Sequence, residues 1–238
     1  MSYILAGVLC IPTALSKAEL ITAMPKAGGD YFYIMRGFGP LFGTIAGLSA
    51  WFSLSLKGAF ALLGMGAYLS IFTHLPIHII AVICCLFFII LNLVGVKEAG
   101  FFQVLLVLGL FGILLCYVFL GAKNIKPDNF SPFFSCGVNS VFTTASFVFI
   151  SYGGLTKIAA LAEETRNPGK TIPLGMISAL AIICILYAAV LIVTIGVMNP
   201  QTLKETLTPI SDGAYVFGGN VFKIVISVAA FLAFISTA

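Results

Sequence analysis

Charge is the first thing this sequence is short of. Asp, Glu, Lys and Arg make up only 8% of its 238 residues, against roughly 25% in a soluble domain. So few charges cannot cover a water-facing surface, so a soluble fold is excluded, whereas lipid needs no such surface. Histidine is scarce too, with two residues, and tryptophan occurs once. Six cysteines are present. Cys10, Cys84, Cys85, Cys116 and Cys184 lie inside apolar runs, and only Cys136 sits in a connector. With no C-x-x-C pair and no Cys/His cluster, neither a disulfide framework nor a metal site is supported, and the cysteines read as small packing residues. His74 and His78 flank Pro76, which spoils the helical spacing a metal pair would need, so they read as surface histidines. A membrane-embedded enzyme would gather His, Asp or Glu at one membrane face, and no such gathering is present. The first residues lack the basic start and small-residue cleavage site of a signal peptide.

What remains is apolar. The chain is 61% hydrophobic, with a mean hydropathy of +1.15 and a net charge of +4. At about 20 apolar residues per crossing, the length accommodates about seven spans and no separate soluble domain. The expected fold is an all-α, multi-pass membrane protein, with residues 1–238 forming one transmembrane domain in the cell membrane. The twelve basic residues are scattered, mostly in short connectors, a pattern that suits lipid headgroups and topology rather than a nucleic-acid face.

Apolar runs read against their breakers give segments at about 2–22, 41–72, 77–94, 100–120, 138–161, 173–197 and from about Tyr215 onward. The first closes at Met24-Pro25 and the Gly28-Gly29 turn, and the second is long enough to tilt. Alternating the connectors puts Lys17, Lys26, Arg36, Lys97, Arg166 and Lys170 on one side and Lys123, Lys126 and Lys204 on the other. The positive-inside rule assigns the first set to the cytoplasm. Both ends of the chain fall within apolar runs, which suggests a fragment of a longer protein.

The fifth segment carries the densest chemistry: Phe147-Val-Phe-Ile-Ser-Tyr-Gly-Gly-Leu-Thr-Lys157. Adjacent glycines cost a helix roughly 2 kcal/mol relative to alanines, and backbone groups freed in hydrocarbon must find other partners. Gly153-Gly154 therefore reads either as a helix break whose N–H and C=O groups hold a zwitterion or ion, or as small residues that permit close helix packing. The following connector, Ala162-Glu-Glu-Thr-Arg-Asn-Pro-Gly-Lys-Thr-Ile-Pro173, reads as a solvated turn. In it Glu163 and Glu164 pair with Arg166 and Lys170, and Pro173 starts the next helix. Lys57 lies deep in the second segment, where a charge costs roughly 3 kcal/mol. It reads as a path residue or as a snorkelling lysine. Trp51 either lines that path or packs.

Two stretches carry a family resemblance. Ala18-Glu-Leu-Ile-Thr-Ala-Met-Pro-Lys-Ala-Gly-Gly-Asp-Tyr-Phe-Tyr33, with Arg36 and Phe38-Gly39-Pro40, resembles the signature after the second helix of amino acid–polyamine–organocation (APC) transporters. The Ala162-Glu-Glu…Asn-Pro…Ile-Pro173 connector is similar to the one after that family's sixth helix. The resemblance covers essentially the whole chain. It implies part of a LeuT-like inverted-repeat bundle, with these segments as helices two to eight and the first and last helices missing.

It further implies a secondary transporter, not an enzyme, that moves an amino acid by alternating access. The substrate would lie at the break formed by Ile150, Ser151, Tyr152, Gly153 and Gly154, with Tyr152 shaping the side-chain pocket. Ser236 and Thr237 fall where sodium-coupled members of the fold place hydroxyl ligands. Gly109-Leu110 stand where some proton-coupled relatives carry a lysine. No cofactor is implied beyond a coupling ion, H⁺ or Na⁺, and the oligomeric state is left open. The alternatives are a polyamine or organic-cation transporter of the same fold, or a truncated fragment that does not transport. Glu19, Glu98, Glu163 and Glu164 all flank connectors, which favours a zwitterion over a polycation.

Overall fold

Hydrocarbon leaves a backbone N–H or C=O few partners beyond its own segment, so apolar runs bounded by Pro and Gly become helices. The computed structural model describes residues 1–24, 26, 28–73, 75–94, 99–131, 137–154, 158, 165 and 167–237. Among them the regular elements are all helical: α1 (Ser2–Ala23), α2 (Gly29–Phe38), α3 (Pro40–Thr73), α4 (Ile77–Val94), α5 (Ala99–Ala122), a 3₁₀ turn at Pro127–Phe130, α6 (Gly137–Val148), α7 (Pro168–Val197), α8 (Pro200–Glu205) and α9 (Pro209–Thr237). By length and composition, five helices can cross a membrane: Ser2–Ala23, Pro40–Ser70, Gln103–Ala122, Pro168–Val197 and Pro209–Thr237. The 18 residues of α4 rise about 27 Å, and the 34 residues of α3 about 51 Å.

Helix boundaries depart from the sequence expectation in three places. The helix expected to start at Pro173 starts at Pro168. Asn167 turns the chain at φ 52°, and its carbonyl accepts from the N–H groups of Lys170 and Thr171, both at 3.1 Å. Pro168 then takes the first helical position, where a missing N–H costs nothing, and Pro173 is carried inside the helix. In the segment expected at 138–161 the α-helix runs to Val148, and residues 149–154 are no longer α-helical. The last segment begins at Pro209 rather than near Tyr215, and Gly219 (φ 65°, ψ −162°) folds it into two arms.

The chain divides into two compact units, Met1–Ser53 with Pro132–Ala188, and Leu54–Ser131 with Ala189–Ala238. In the first unit α1 packs on α6. Ala6, Cys10, Ala14 and Ala18 recur every fourth residue of α1 and are all buried. Such a stripe of small side chains lets neighbouring helices approach closely, and Ala145, Tyr152, Ile172, Met176 and Leu180 fill the space against it. Gly28 (φ 129°) and Gly29 (φ 56°) make the turn into α2, in the left-handed region that suits glycine. Lys17 Nζ reaches Asp30 Oδ2 at 2.8 Å, fastening α2 to the end of α1. Burial and the Asp30 carboxylate push the Tyr33 phenol above its usual range.

In the second unit α5 packs on α9. Tyr117 is fully buried, and its hydroxyl lies 2.9 Å from that of Thr194, which donates to the Val190 carbonyl at 2.7 Å. Across the Gly219 fold the two arms of α9 bond to each other. Buried Ser211 meets buried Ser227 at 2.5 Å, and Lys223 Nζ pairs with Asp212 Oδ1 at 2.9 Å.

Candidate functional site

The candidate site lies in the first unit, where α6 gives way to another helical form. The α-helix ends at Val148 and residues 149–154 continue as a 3₁₀-helix. A 3₁₀ stretch uses i→i+3 bonds of poorer geometry, and one this long marks strain or a functional bend. Ile150, Ser151 and Gly154 are exposed, Gly153 is half-buried, and Tyr152 alone in the stretch is buried, at 4% exposure. A Cβ added at Gly153 or Gly154 would meet nothing within 4 Å. Among the described residues, then, close packing does not account for the glycine pair.

Tyr152 of this stretch meets two further tyrosines, Tyr3 and Tyr187. The Tyr152 hydroxyl donates to the Tyr3 carbonyl of α1 at 2.9 Å. The Tyr187 ring on α7 stands edge-on to both Tyr152 (centroids 5.7 Å apart) and Tyr3 (5.5 Å). Gly7, one turn after Tyr3, leaves the space. A Cβ there would lie 2.7 Å from Cys184 Sγ and 3.3 Å from the Tyr152 hydroxyl.

The other residues singled out from sequence are spread over the fold. Trp51 is exposed on α3 in the first unit. Lys57 is half-buried on α3 but belongs to the second unit, as do Ser236 and Thr237. Thr237 donates its hydroxyl to the Ala233 carbonyl at 3.0 Å, the back-bond common for threonine in helices. His78 and Lys170 are exposed. His74, Cys136, Glu163, Glu164 and Arg166 lie outside the described residues. Cys10, Cys84, Cys85, Cys116 and Cys184 are free thiols, and no cluster of metal-binding side chains occurs among the described residues.

Sequence reasoning missed the charged pair of the second unit. Besides Lys223, the Asp212 carboxylate accepts from the Thr206 hydroxyl and, at 3.4 Å, from that of Thr208. The Lys223 ammonium also lies 5.8 Å from the centre of the Tyr215 ring. The available signal was Gly218-Gly219, the same dipeptide that drew attention at Gly153-Gly154. Tyr3, Gly7 and Tyr187 carried no signal of their own.

A model of the amino acid permease family matches residues 1–238. The methylthioribose transporter of Bacillus subtilis is 31% identical over 98% of this chain and 54% of its own length. A branched-chain amino acid permease of Lactococcus lactis is 29% identical over 96% of this chain and 55% of its own. Cationic amino acid transporter 1 of Arabidopsis thaliana is 24% identical over 97% and 41%. The chain thus spans about half the length of the curated relatives it matches. These relatives are transporters rather than enzymes, and the APC resemblance drawn from the two connectors holds. With five helices suited to cross a bilayer, the chain is a multi-pass protein of the cell membrane, and it belongs to the amino acid permease family.

Proposed function

We propose that the protein containing this chain is a secondary active transporter that carries an amino acid by alternating access, with the substrate held at Ile150–Gly154. The observation that carries this reading is the passage from α-helix to 3₁₀-helix at residues 149–154, inside a chain matched throughout by the amino acid permease family. Where an α-helix passes into a 3₁₀-helix, its last carbonyls exchange i→i+4 bonds for i→i+3 bonds of poorer geometry, and the negative end of the helix dipole favours a cation. The end of α6 at Val148 suits the ammonium of a zwitterion, with the exposed Ser151 hydroxyl beside it. Relatives named for branched-chain and cationic amino acids support an amino acid as cargo.

The polyamine reading is weaker, because a polycation calls for acids in the path. Asp30 is engaged by Lys17 and Asp212 by Lys223, while Glu19 lies exposed in the last two turns of α1. For the coupling ion we propose H⁺ or Na⁺, with Lys57, Trp51 and Ser236 as path residues. The back-bond of Thr237 makes it the poorer candidate for a sodium ligand.

Counterflow by the full-length protein in liposomes tests the proposal, using labelled amino acids, a polyamine and methylthioribose, with and without H⁺ and Na⁺ gradients. Accumulation of one amino-acid class is expected, and its loss when Gly153 and Gly154 are changed to leucine. A well-folded protein that accumulates no amino acid would overturn the reading.

A further inference from the structure

We infer that Tyr152 is a positioning residue, clasping the 3₁₀ stretch to α1 and α7, rather than a wall of the side-chain pocket as its sequence context suggests. The inference rests on the proposed substrate site. Tyr152 is buried while Ile150 and Ser151, the two residues just before it, are exposed, so it faces away from the surface those two present. Its hydroxyl is committed to the Tyr3 carbonyl at 2.9 Å. That carbonyl belongs to an α-helical ladder, so the bond ties the stretch to a rigid element rather than to a mobile side chain.

The ring is held as well, because Tyr187 on α7 meets it edge-on while also meeting Tyr3. Such aromatic pairs favour one relative orientation. The clasp therefore joins two helices of one compact unit to the middle of the segment that would hold substrate. Gly7 completes it. Its missing side chain admits both Cys184 Sγ and the Tyr152 hydroxyl, and any Cβ at position 7 would press on both.

A 3₁₀ stretch containing two glycines has little to hold its own shape. Held on α1 by its hydroxyl and against α7 by its ring, Tyr152 helps to fix where the neighbouring Ser151 hydroxyl and the Gly153-Gly154 backbone stand. A positioning residue acts on the affinity of the site more than on the steps that follow binding.

Two measurements on the full-length protein test this. In transport, Tyr152→Phe keeps the ring and loses the bond. It should raise the half-saturation concentration about fivefold, as for one interhelical hydrogen bond, with the maximal rate within about twofold. Gly7→Ala should do the same, and adding Cys184→Ala should restore part of the affinity by relieving the closer contact. Independently of transport, Ser151→Cys in a background with the native cysteines replaced by alanine is labelled with a methanethiosulfonate reagent, and Tyr152→Phe should speed that labelling several-fold.

If wild-type protein transports, but Tyr152→Phe and Gly7→Ala change neither affinity nor labelling, the clasp is overturned and the substrate site stands. If no amino acid is transported, yet labelling still responds to Tyr152→Phe, the clasp stands and the substrate site falls.

Discussion

Tyr117 and Thr194 form a pair that shows how a hydroxyl is kept in an apolar bundle. Thr194 spends its proton on the Val190 carbonyl, so the Tyr117 hydroxyl donates to Thr194. Gly213 closes over the pair, since a Cβ there would lie 2.6 Å from the Tyr117 oxygen, leaving no room for water. The two single substitutions should therefore be unequal. Tyr117→Phe leaves Thr194 still bonded to its own helix and should cost about 0.6 kcal/mol. Thr194→Val strands a buried phenol and should cost about 1–3 kcal/mol, and the double variant less than the sum of the singles. Thermal unfolding of the purified protein in detergent measures all three, and an order reversed between the singles would refute the donor assignment. None of this was legible in the sequence, because the partners stand 77 residues apart in runs whose hydropathy is the same with or without the bond. Tyr152 was visible as a candidate, but its partner is a backbone carbonyl, which every residue has.

At the scale of elements, apolar runs and their Pro and Gly punctuation located the helices well, because in lipid an apolar run has little choice but to be helical. They located folds within a run poorly. Pro209–Thr237 reads as one apolar segment with a polar entry, yet Gly219 turns it back so that Ser211 reaches Ser227 and Asp212 reaches Lys223. A reversal of direction leaves no trace in a hydropathy period. The ion pair is partly exposed, with side chains at 27% and 30%, so its coupling should be about 0.2–1 kcal/mol. A double-mutant cycle with Asp212→Asn and Lys223→Gln, followed by thermal unfolding, reads that value directly. Zero coupling would mean that the serine contact and packing hold the arms together without the charges. Gly219→Ala should be more damaging than either single change, by about 1–2 kcal/mol, because φ 65° places a Cβ against the following carbonyl.

For the whole molecule, the basic connectors predict which ends of the helices share a side. Lys26 precedes α2 and Lys170 opens α7, whereas Asn124 follows α5 and Lys204 closes α8. With an impermeant maleimide and a background free of native cysteines, Lys26→Cys and Lys170→Cys should react only from the cytoplasmic face. Asn124→Cys and Lys204→Cys should react only from the outside. The reverse pattern would invert the topology, and a mixed one would show that an apolar stretch fails to cross. Family membership was legible in two connectors, the polar parts of the chain where particular residues are needed, while the spans between them could serve many bundles. The lengths of those spans carry a further consequence. The hydrocarbon core is about 30 Å thick. The roughly 51 Å of α3 exceeds it, and the roughly 27 Å of α4 falls just short. A thicker bilayer would suit the first helix and strand the ends of the second. Mismatch costs fractions of a kcal/mol per ångström, so the acyl-chain length of the host membrane becomes a variable to which this protein responds, without any lipid having to bind at a defined place.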